Sequence, residues 1–335
     1  MNKELAETQV ESLLGKLTQL KREIGKIIVG QEAIVEEILV AMLAGGHCLL
    51  EGVPGLAKTL MVRTLSQALD LAFRRIQFTP DLMPTDILGT EVLEEDHGTG
   101  RRFFKFVKGP LFANIVLADE INRTPPKTQS ALLEAMQEFE ITYGGVTYPL
   151  DRPFFILATQ NPIEQAGTYP LPEAQLDRFL LYIRIGYPTA EEEMRILSHT
   201  TGVRQPVVNA VLGGAEIRQL QELVREVSIS EALIRYVAEL VRATRPGESA
   251  DEYVREWVRW GAGPRAGQAL ILTAKARALF HQRYAVTVED LHAMALPVLR
   301  HRVLLNFKAE AENIHSDDVT RHLIDVIRRP GGLLK

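Results

Sequence analysis

The stretch Gly52–Thr59 carries residue types that can bind a phosphate group. It reads Gly-Val-Pro-Gly-Leu-Ala-Lys-Thr, follows a short apolar run and leads into a helical pattern at Leu60. Glycines allow a turn in which successive backbone N–H groups and a helix amino terminus point at one phosphate. In such a loop the lysine reaches the β- and γ-phosphates of a nucleotide, and the next hydroxyl binds Mg²⁺. We therefore predict that Lys58 contacts the phosphates and that Thr59 is a magnesium ligand.

This phosphate loop departs from the general pattern at one position. Ala57 stands where the general pattern has its last glycine. Because only a positive φ demands glycine, we expect the backbone at Ala57 to be already helical. The alternative, a glycine turn with a surface lysine, is disfavoured by the strand before the loop and the helix after it. The predicted nucleotide-binding residues of the loop are Gly52, Pro54, Gly55, Leu56, Ala57, Lys58, Thr59 and Leu60.

A second group of candidate residues stands at the end of an apolar strand. The run Asn114–Ala118 is followed by two acids, Asp119 and Glu120. A strand buried on both faces ends at the carboxyl edge of its sheet, where open α/β sheets bind ligands. Since adjacent strand residues point to opposite sides, the two acids can do different jobs. We predict that Asp119 binds Mg²⁺ through water and that Glu120 polarises the attacking water. Two solvated acids at a strand end are the alternative.

The elements that must position these residues can be read from hydrophobic patterning. Five apolar runs separated by helical patterns predict a parallel sheet covered by helices; they are His47–Glu51, Phe73–Phe78, Ile115–Asp119, Phe154–Thr159 and Phe179–Ile185. Two alternating segments predict inserted hairpins, Leu88–Val107 around Gly98-Thr99-Gly100 and Phe139–Leu150 around Gly144-Gly145. After Ile185 the strand patterns nearly vanish. We therefore predict an α/β nucleotide-binding domain over residues 1–186, a connector over 187–225 and a helical domain over 226–335.

The composition excludes several classes of protein. The chain has 335 residues, of which 46% are hydrophobic and 24% charged, so disordered and low-complexity architectures are excluded. A net charge of −5 disfavours a globally basic nucleic-acid-binding protein. No apolar run approaches the roughly 18 residues of a membrane span, and the chain does not open with a secretory pattern. With a single cysteine, Cys48, we expect a cytoplasmic protein without membrane insertion.

Together, four stretches resemble those of AAA+ ATPases, and more closely those of the MoxR family. The stretches are Gly52–Thr59, Asp119–Lys127, Ala158–Pro162 and Leu171–Phe179. The resemblance runs from about Ile28 to Asn306. It implies a P-loop NTPase core, with a parallel five-stranded sheet between helices, followed by a smaller all-α lid domain. It also implies ATP and Mg²⁺ as cofactors, and the lack of an Asn-Lys-x-Asp guanine motif favours ATP by analogy.

The resemblance assigns roles to residues outside the phosphate loop. Asn161 matches the sensor 1 position, which orients the attacking water; a turn asparagine before Pro162 is the alternative. Arg178 matches the arginine finger, which is offered to the nucleotide of a neighbouring subunit and neutralises charge in the transition state. An ion pair of Arg178 with Asp177 is the alternative.

Three further residues are carried over from the same resemblance. Arg265 matches sensor 2, at the start of a lid helix from which it would bridge the lid to the γ-phosphate. Val29 and Gly30 match the segment that flanks the adenine. The bridge made by Arg265 would couple hydrolysis to a rigid-body motion of the lid.

At the level of the whole protein, the resemblance implies a Mg²⁺-dependent ATPase that forms a homo-oligomer, a hexameric ring. Its chaperone-like role would be to remodel or activate a partner protein with a von Willebrand factor A domain, including cofactor or metal insertion. A nucleotide-gated scaffold without useful turnover and a DNA-remodelling motor are the alternatives. The run Arg101–Lys108 interleaves basic and aromatic residues as nucleic-acid-binding strands do, but a half-solvated strand explains it as well. We therefore expect no nucleic-acid partner.

Overall fold

The computed structural model describes residues 3–53, 55–95, 100–162, 167–200 and 206–329. Pro54, which belongs to the predicted nucleotide-binding set, lies outside the described residues. So does the Gly98-Thr99 pair, which we predicted as part of a hairpin turn.

The first part of the chain alternates strands and helices. Its helices are α1 (Lys3–Ile24), α2 (Glu32–Leu43), α3 (Lys58–Ala68), α4 (Pro84–Leu88), α5 (Pro126–Glu138) and α6 (Glu173–Leu176). Its strands are β1 (Cys48–Glu51), β2 (Phe73–Gln77), β3 (Gly89–Glu95), β4 (Arg102–Lys108), β5 (Ile115–Asp119), β6 (Glu140–Tyr143), β7 (Val146–Pro149), β8 (Phe155–Gln160) and β9 (Leu181–Arg184). A 3₁₀ turn, Ile121–Arg123, separates β5 from α5.

Five strands form one parallel sheet in the order β2-β5-β8-β1-β9. The predicted parallel five-stranded sheet between helices is therefore confirmed. Successive side chains alternate between the two faces, so that Leu49 belongs to the apolar layer beneath α5 and Leu50 to the layer beneath α2 and α3. Because the central strands are buried on both faces, they read as continuous apolar runs in the sequence. The parallel arrangement gives the sheet a carboxyl edge, where every strand ends, and an amino edge, where every strand begins.

The two segments predicted as hairpins contain antiparallel strand pairs. Strand β3 pairs with β4, and β6 pairs with β7. The pairs are held against each other by aromatic side chains, since the Phe106 ring stacks on Tyr148 with a centroid separation of 4.3 Å. Phe112, just before β5, meets the Phe106 ring edge-on at 6.0 Å.

The second part of the chain, in the ranges 190–200 and 206–329, is mainly helical and includes a short two-stranded ribbon. Its helices are α7 (Ala190–Thr200), α8 (Gly214–Glu226), α9 (Glu231–Ala243), α10 (Glu252–Trp257), α11 (Pro264–Phe280), α12 (Val288–Leu299), α13 (Phe307–Ala311) and α14 (Ser316–Val326). The ribbon pairs β10 (Val258–Trp260) with β11 (Leu304–Leu305). The segment 187–225, expected to be a connector, thus contains α7 and α8. Gly213 is the N-cap of α8, and the apolar stripe of Ile217, Leu220 and Val224 on this helix is buried.

His47, immediately before β1, joins three parts of the core. Its Nδ1 accepts a hydrogen bond from the Ile156 N–H at 3.1 Å, and its Nε2 donates to the Met136 carbonyl at 3.0 Å. These two bonds fix the neutral tautomer of the ring. Burial lowers the pKa of His47 to about 4, an effect only partly offset by the hydrogen bond to Met136.

This burial predicts acid sensitivity of the fold. In the unfolded chain His47 is protonated below the ordinary histidine pKa of about 6.5. In the folded chain it stays neutral down to about pH 4. We therefore expect His47 to make the free energy of unfolding fall by roughly 3 kcal/mol as the pH drops through this window. Glu37 changes the free energy of unfolding in the opposite direction. Burial raises its pKa to about 7, so its stabilising contribution is present at acidic pH and is lost as the pH rises from about 4.5 to 7. Urea unfolding of wild type and His47→Gln at several pH values isolates the His47 contribution; parallel pH profiles would contradict it.

Candidate active site

One cleft at the carboxyl edge gathers most of the residues predicted to do chemistry. It has a volume of about 380 Å³ and is lined by Gly55, Ala57, Lys58, Thr59, Leu60, Arg75, Asp119, Glu120 and Asn161. The sheet order explains this convergence, because β5, β8 and β1 are neighbours and their carboxyl ends lie side by side. The phosphate loop follows β1, the acid pair ends β5, and Asn161 follows β8.

The Lys58 side chain folds back onto the phosphate loop to which it belongs. Lys58 opens α3, and its Nζ donates a hydrogen bond to the Gly52 carbonyl at 2.6 Å. Burial lowers the pKa of Lys58, while the nearby Asp119 and Glu120 carboxylates act in the opposite direction. The half-buried ammonium group lines the cleft. Of the other predicted loop residues, Leu56 packs into the apolar core instead of lining the cleft.

The expectation for Ala57 is wrong. Its backbone has φ 55° and ψ 21°, which is left-handed, and it forms the N-cap of α3. The loop must turn sharply to bring the first N–H groups of α3 towards the cleft, and Gly55, at φ 88°, shares that turn. A residue with a side chain in this conformation carries a strain of about 1–2 kcal/mol. Such strain is concentrated where function requires a particular backbone geometry.

The Asp119 carboxylate is held by two neighbours on adjacent strands. Its Oδ1 accepts a hydrogen bond from the Thr159 hydroxyl at 2.6 Å. Its Oδ2 accepts from Arg75, at 2.7 Å from Nη2 and 3.1 Å from Nε. Asp119 itself is 8% exposed. The carboxylate is thus fixed in orientation at the mouth of the cleft and is compensated by a positive charge.

The Glu120 carboxylate is positioned by a special backbone geometry. Glu120 has φ 59° and ψ 49°, so the chain turns left-handed directly after β5. Its N–H donates to the Thr159 hydroxyl at 2.9 Å, which ties this turn to β8. Its carboxylate accepts a hydrogen bond from the Gln77 amide at 2.7 Å and lies 3.2 Å from Arg123. The two carboxylates therefore have separate side-chain partners, as their different predicted roles require.

Three contributors to this cleft were missed by reasoning from the sequence. Arg75 and Gln77 lie on β2, next to the acid-bearing β5, and Thr159 lies on β8. A hint was present in the run Phe73–Phe78, where Arg75 and Gln77 alternate with apolar residues and so share one face of the strand.

The oxygen donors in the cleft fit a magnesium ion. Thr59 offers a hydroxyl and Asp119 a carboxylate, and both line the same cleft. Mg²⁺ prefers oxygen ligands and usually takes only one or two from the protein, with phosphates and water completing its shell. In the described part of the chain, no cluster of three or more His, Cys, Asp or Glu side chains could cage a metal by itself. A magnesium ion held here would share its ligands with a nucleotide.

Both predicted arginines lie elsewhere, at the amino edge of the sheet. Arg178 and Arg265 line a second pocket of about 290 Å³, together with Gly45, His47 and Arg302. The alternative for Arg178, an ion pair with Asp177, does not form; the Asp177 carboxylate lies 2.7 Å from Arg302 and 3.6 Å from Arg265. Arg265, which we expected at the γ-phosphate, is not brought to the phosphate loop of its own chain, because it lines the amino-edge pocket with Phe179 and Leu180.

Gly30 lies against α7, and neither Val29 nor Gly30 is among the described residues that line the cleft. Gly30 has φ 79°, and a Cβ on it would lie 2.6 Å from the Glu192 side chain of α7. This close approach requires glycine, since any side chain would push α7 away. Helix α7 follows β9 and so begins near the carboxyl edge of the sheet. The contact of Gly30 with α7 therefore places the segment before α2 near that edge.

Comparisons with known proteins agree with this architecture. The family model for the ATPase family associated with various cellular activities (AAA) matches residues 47–181, and the AAA lid domain model matches residues 250–323. The chain is 45% identical over 324 residues to Chaperone MoxR1 of Mycobacterium tuberculosis, covering 96% of this chain and 85% of that protein. The chain belongs to the MoxR family of AAA+ ATPases.

Further relatives support the MoxR assignment. Protein MoxR of Methylorubrum extorquens is 30% identical over 304 residues, which cover 86% of this chain and 87% of that protein. A crystal structure of a candidate ATPase from Cytophaga hutchinsonii superposes with a TM-score of 0.90 at 43% identity, covering 97% of this chain and 98% of that one. The predicted family and fold, a P-loop core followed by a helical lid, are thus confirmed. Across the described ranges, none of the helices has the length and apolar character needed to cross a bilayer.

Proposed function

We propose that this MoxR-family protein hydrolyses ATP with Mg²⁺ in the carboxyl-edge cleft. The observation that carries the proposal is the convergence of Lys58, Thr59, Asp119 and Glu120 on one cleft of about 380 Å³. A phosphate loop at a helix amino terminus opposite an acid pair is the arrangement that phosphoryl transfer to water requires. A scaffold that only binds nucleotide would need no second acid and no buried asparagine beside it.

The proposed roles follow from the contacts of each residue. Lys58 binds the β- and γ-phosphates, and the backbone N–H groups at the start of α3 bind the β-phosphate. Thr59 and Asp119 hold Mg²⁺, which when bound neutralises charge on the phosphates. Glu120, turned towards the cleft by its left-handed backbone, accepts a proton from the attacking water. Asn161, 5% exposed at the end of β8, orients that water.

We further propose that the protein works as a hexameric ring in which one subunit completes the site of the next. Arg178 and Arg265 lie at the amino edge, and the phosphate loop of the same chain lies at the carboxyl edge. A head-to-tail contact repeated around a closed ring would bring one edge to the other. In this arrangement Arg178 neutralises charge in the transition state of the neighbouring subunit, and Arg265 joins it from the lid.

Mixing of inactive subunits tests this arrangement. Arg178→Ala and Glu120→Gln are each expected to abolish turnover, since each removes one half of a shared site. An equal mixture is expected to regain roughly a quarter of the wild-type rate, because about one in four contacts then pairs an intact cleft with an intact arginine. The ATP hydrolysis rate of re-equilibrated mixtures is measured. No recovery in mixed rings that do form would contradict catalysis at a subunit boundary.

We propose that turnover remodels a partner protein with a von Willebrand factor A domain and promotes cofactor or metal insertion into it. The name of the relative Chaperone MoxR1 supports a chaperone-like role. We place this activity in the cytoplasm, where a buried free thiol such as Cys48 is stable. Affinity capture on a Glu120→Gln ring loaded with ATP, compared with the Lys58→Ala protein, tests for a partner whose binding depends on nucleotide.

The basic run Arg101–Lys108, one feature in favour of nucleic-acid binding, is partly paired with acids of its own hairpin. Two of the basic residues in the run Arg101–Lys108 are paired with acids across the hairpin, Arg102 with Glu95 at 2.9 Å and Lys105 with Glu94 at 3.0 Å. Both pairs are exposed and therefore weak, but the acids beside these cations lower the positive potential that a phosphate backbone would meet. DNA-stimulated turnover with a steep salt dependence would support the DNA-remodelling alternative.

A further inference from the structure

Three consecutive side chains after α12 attach the lid to the segment that carries Arg178. Arg300 donates to the Tyr182 carbonyl at 2.6 Å, and His301 Nε2 donates to the Phe179 carbonyl at 3.0 Å. Arg302 donates to the Phe179 carbonyl at 2.8 Å and to the Leu180 carbonyl at 3.2 Å. Tyr182 lies in the edge strand β9, so its outward carbonyl has no strand partner on that side, and Phe179 and Leu180 directly precede this strand. The lid supplies the missing donors.

Arg302 makes the largest number of these contacts. Its side chain is only 5% exposed, and all five of its N–H groups have an acceptor. Besides the two carbonyls above, the guanidinium donates to the Asp177 carboxylate at 2.7 Å, to the Asp177 carbonyl at 3.4 Å and to the Val298 carbonyl at 2.6 Å. The last bond is to α12 itself, so that the guanidinium is fixed from the lid side as well. Two of its acceptors belong to Asp177, the residue directly before Arg178.

The same contacts leave the Arg178 guanidinium available. Asp177 directly precedes Arg178 in the sequence, but its carboxylate is paired with Arg302 and Arg265. The Arg178 backbone N–H is bound to the Gln175 carbonyl at 3.2 Å, and its side chain is exposed at the amino edge. The segment is therefore held on both sides of Arg178 while the side chain points outward.

We propose that Arg302 is a positioning residue for Arg178. It holds Asp177 and Phe179 in place from the lid and keeps the Asp177 carboxylate away from Arg178. This inference rests on the proposed function, in which Arg178 completes the site of the neighbouring subunit. It goes beyond that function because it makes the lid of one subunit responsible for the turnover of the next.

The expected effect is on turnover and not on the affinity of the chain's own cleft. Arg302→Ala is expected to lower kcat by about 10- to 100-fold, since misplacing a catalytic group by about 1 Å has an effect of this size. The Kd for ATP is expected to stay within about twofold of wild type, because Arg302 lies at the amino edge, away from the phosphate loop. Asp177→Asn, which keeps the shape but weakens the ion pair, is expected to lower kcat by roughly 3- to 10-fold. The matched control is Arg235→Ala on α9, an exposed arginine paired only with Glu231.

Subunit mixing separates positioning from a general structural defect. Arg302→Ala subunits keep an intact cleft, so mixing them with Glu120→Gln subunits is expected to restore turnover as Arg178→Ala subunits do. Mixing them with Arg178→Ala subunits is expected to restore nothing, since both lack a working arginine. If Arg302→Ala does not fold, as judged by circular dichroism and elution volume, Asp177→Asn takes its place in the same mixtures.

The outcomes distinguish this inference from the proposed function. If Arg178→Ala and Glu120→Gln fail to complement each other, the shared site itself is contradicted. If they complement each other but folded Arg302→Ala fails to complement Glu120→Gln, or keeps its full kcat, the positioning role of Arg302 is overturned. An increase of more than tenfold in its Kd for ATP would also overturn it, because the defect would then lie in its own cleft.

Discussion

Replacing Glu120 by Gln is expected to lower the rate of ATP hydrolysis by about 100-fold or more while ATP still binds. The magnitude is that of removing a positioned general base. The amide cannot accept the proton of the attacking water, yet it has the shape of the carboxylate. The Gln77 amide, which donates to Glu120 at 2.7 Å, can donate equally well to the new amide oxygen. Steady-state turnover and equilibrium binding of ATP, measured on the same preparation, separate the two effects.

The matched control for this variant is Glu252→Gln, an acid on α10 whose side chain is 95% exposed. It makes the same chemical change far from the cleft and is expected to hydrolyse ATP at the wild-type rate. A Glu120→Gln protein with wild-type turnover would show that another group activates the water. Loss of ATP binding in Glu120→Gln would instead show that the carboxylate supports the fold of the cleft.

Replacing Lys58 by Ala is expected to weaken ATP binding by about 100-fold and to abolish turnover at ordinary ATP concentrations. The estimate corresponds to losing one or two charge-assisted hydrogen bonds of about 1.5–3 kcal/mol each. Lys58 is half-buried beside Asp119 and Glu120, so its removal also leaves two acids without their nearest cation in the loop. A triphosphate then approaches an acidic cleft. Fluorescence or calorimetric titration with ATP measures the change in Kd.

The control for Lys58 is Lys308→Ala, which removes an exposed ammonium on α13 that is paired with Glu256 of α10. It is expected to bind ATP with the wild-type Kd. Unfolding of Lys58→Ala must be measured beside binding, because the ammonium also donates to the Gly52 carbonyl. Unchanged affinity in a folded Lys58→Ala protein would contradict the assignment of the phosphate loop.

The parts of the cleft that were predictable from the sequence are those encoded locally. Lys58 and Thr59 stand in one short loop, and Asp119 and Glu120 end one apolar strand, so each pair can be recognised without knowing the fold. Their convergence follows from the rule that parallel strands end at one edge. The confirmed five-stranded sheet required only that buried strands read as apolar runs.

The remaining parts depend on contacts between distant segments. Arg75 lies beside Asp119 because β2 and β5 pair in the sheet. Nothing in the local sequence around either residue predicts that pairing. The left-handed backbone of Ala57 reflects the direction in which α3 leaves the loop, and this direction overrides the ordinary preference of alanine. The location of Arg265 depends on where the lid packs. The lid is attached to the sheet by contacts of Arg300–Arg302, which lie more than thirty residues after Arg265 in the sequence.

The central claim is that the phosphate loop and the acid pair hold one triphosphate together with its magnesium ion. Calorimetric titration of the protein with ATP, in Mg²⁺ and then in excess chelator, tests it most directly, with Asp119→Asn as the variant. We predict one ATP per chain in Mg²⁺, weaker binding without the metal, and a smaller effect of Mg²⁺ in Asp119→Asn than in wild type. Absence of a binding heat under all conditions, or equal affinity with and without Mg²⁺ in wild type, would contradict the account.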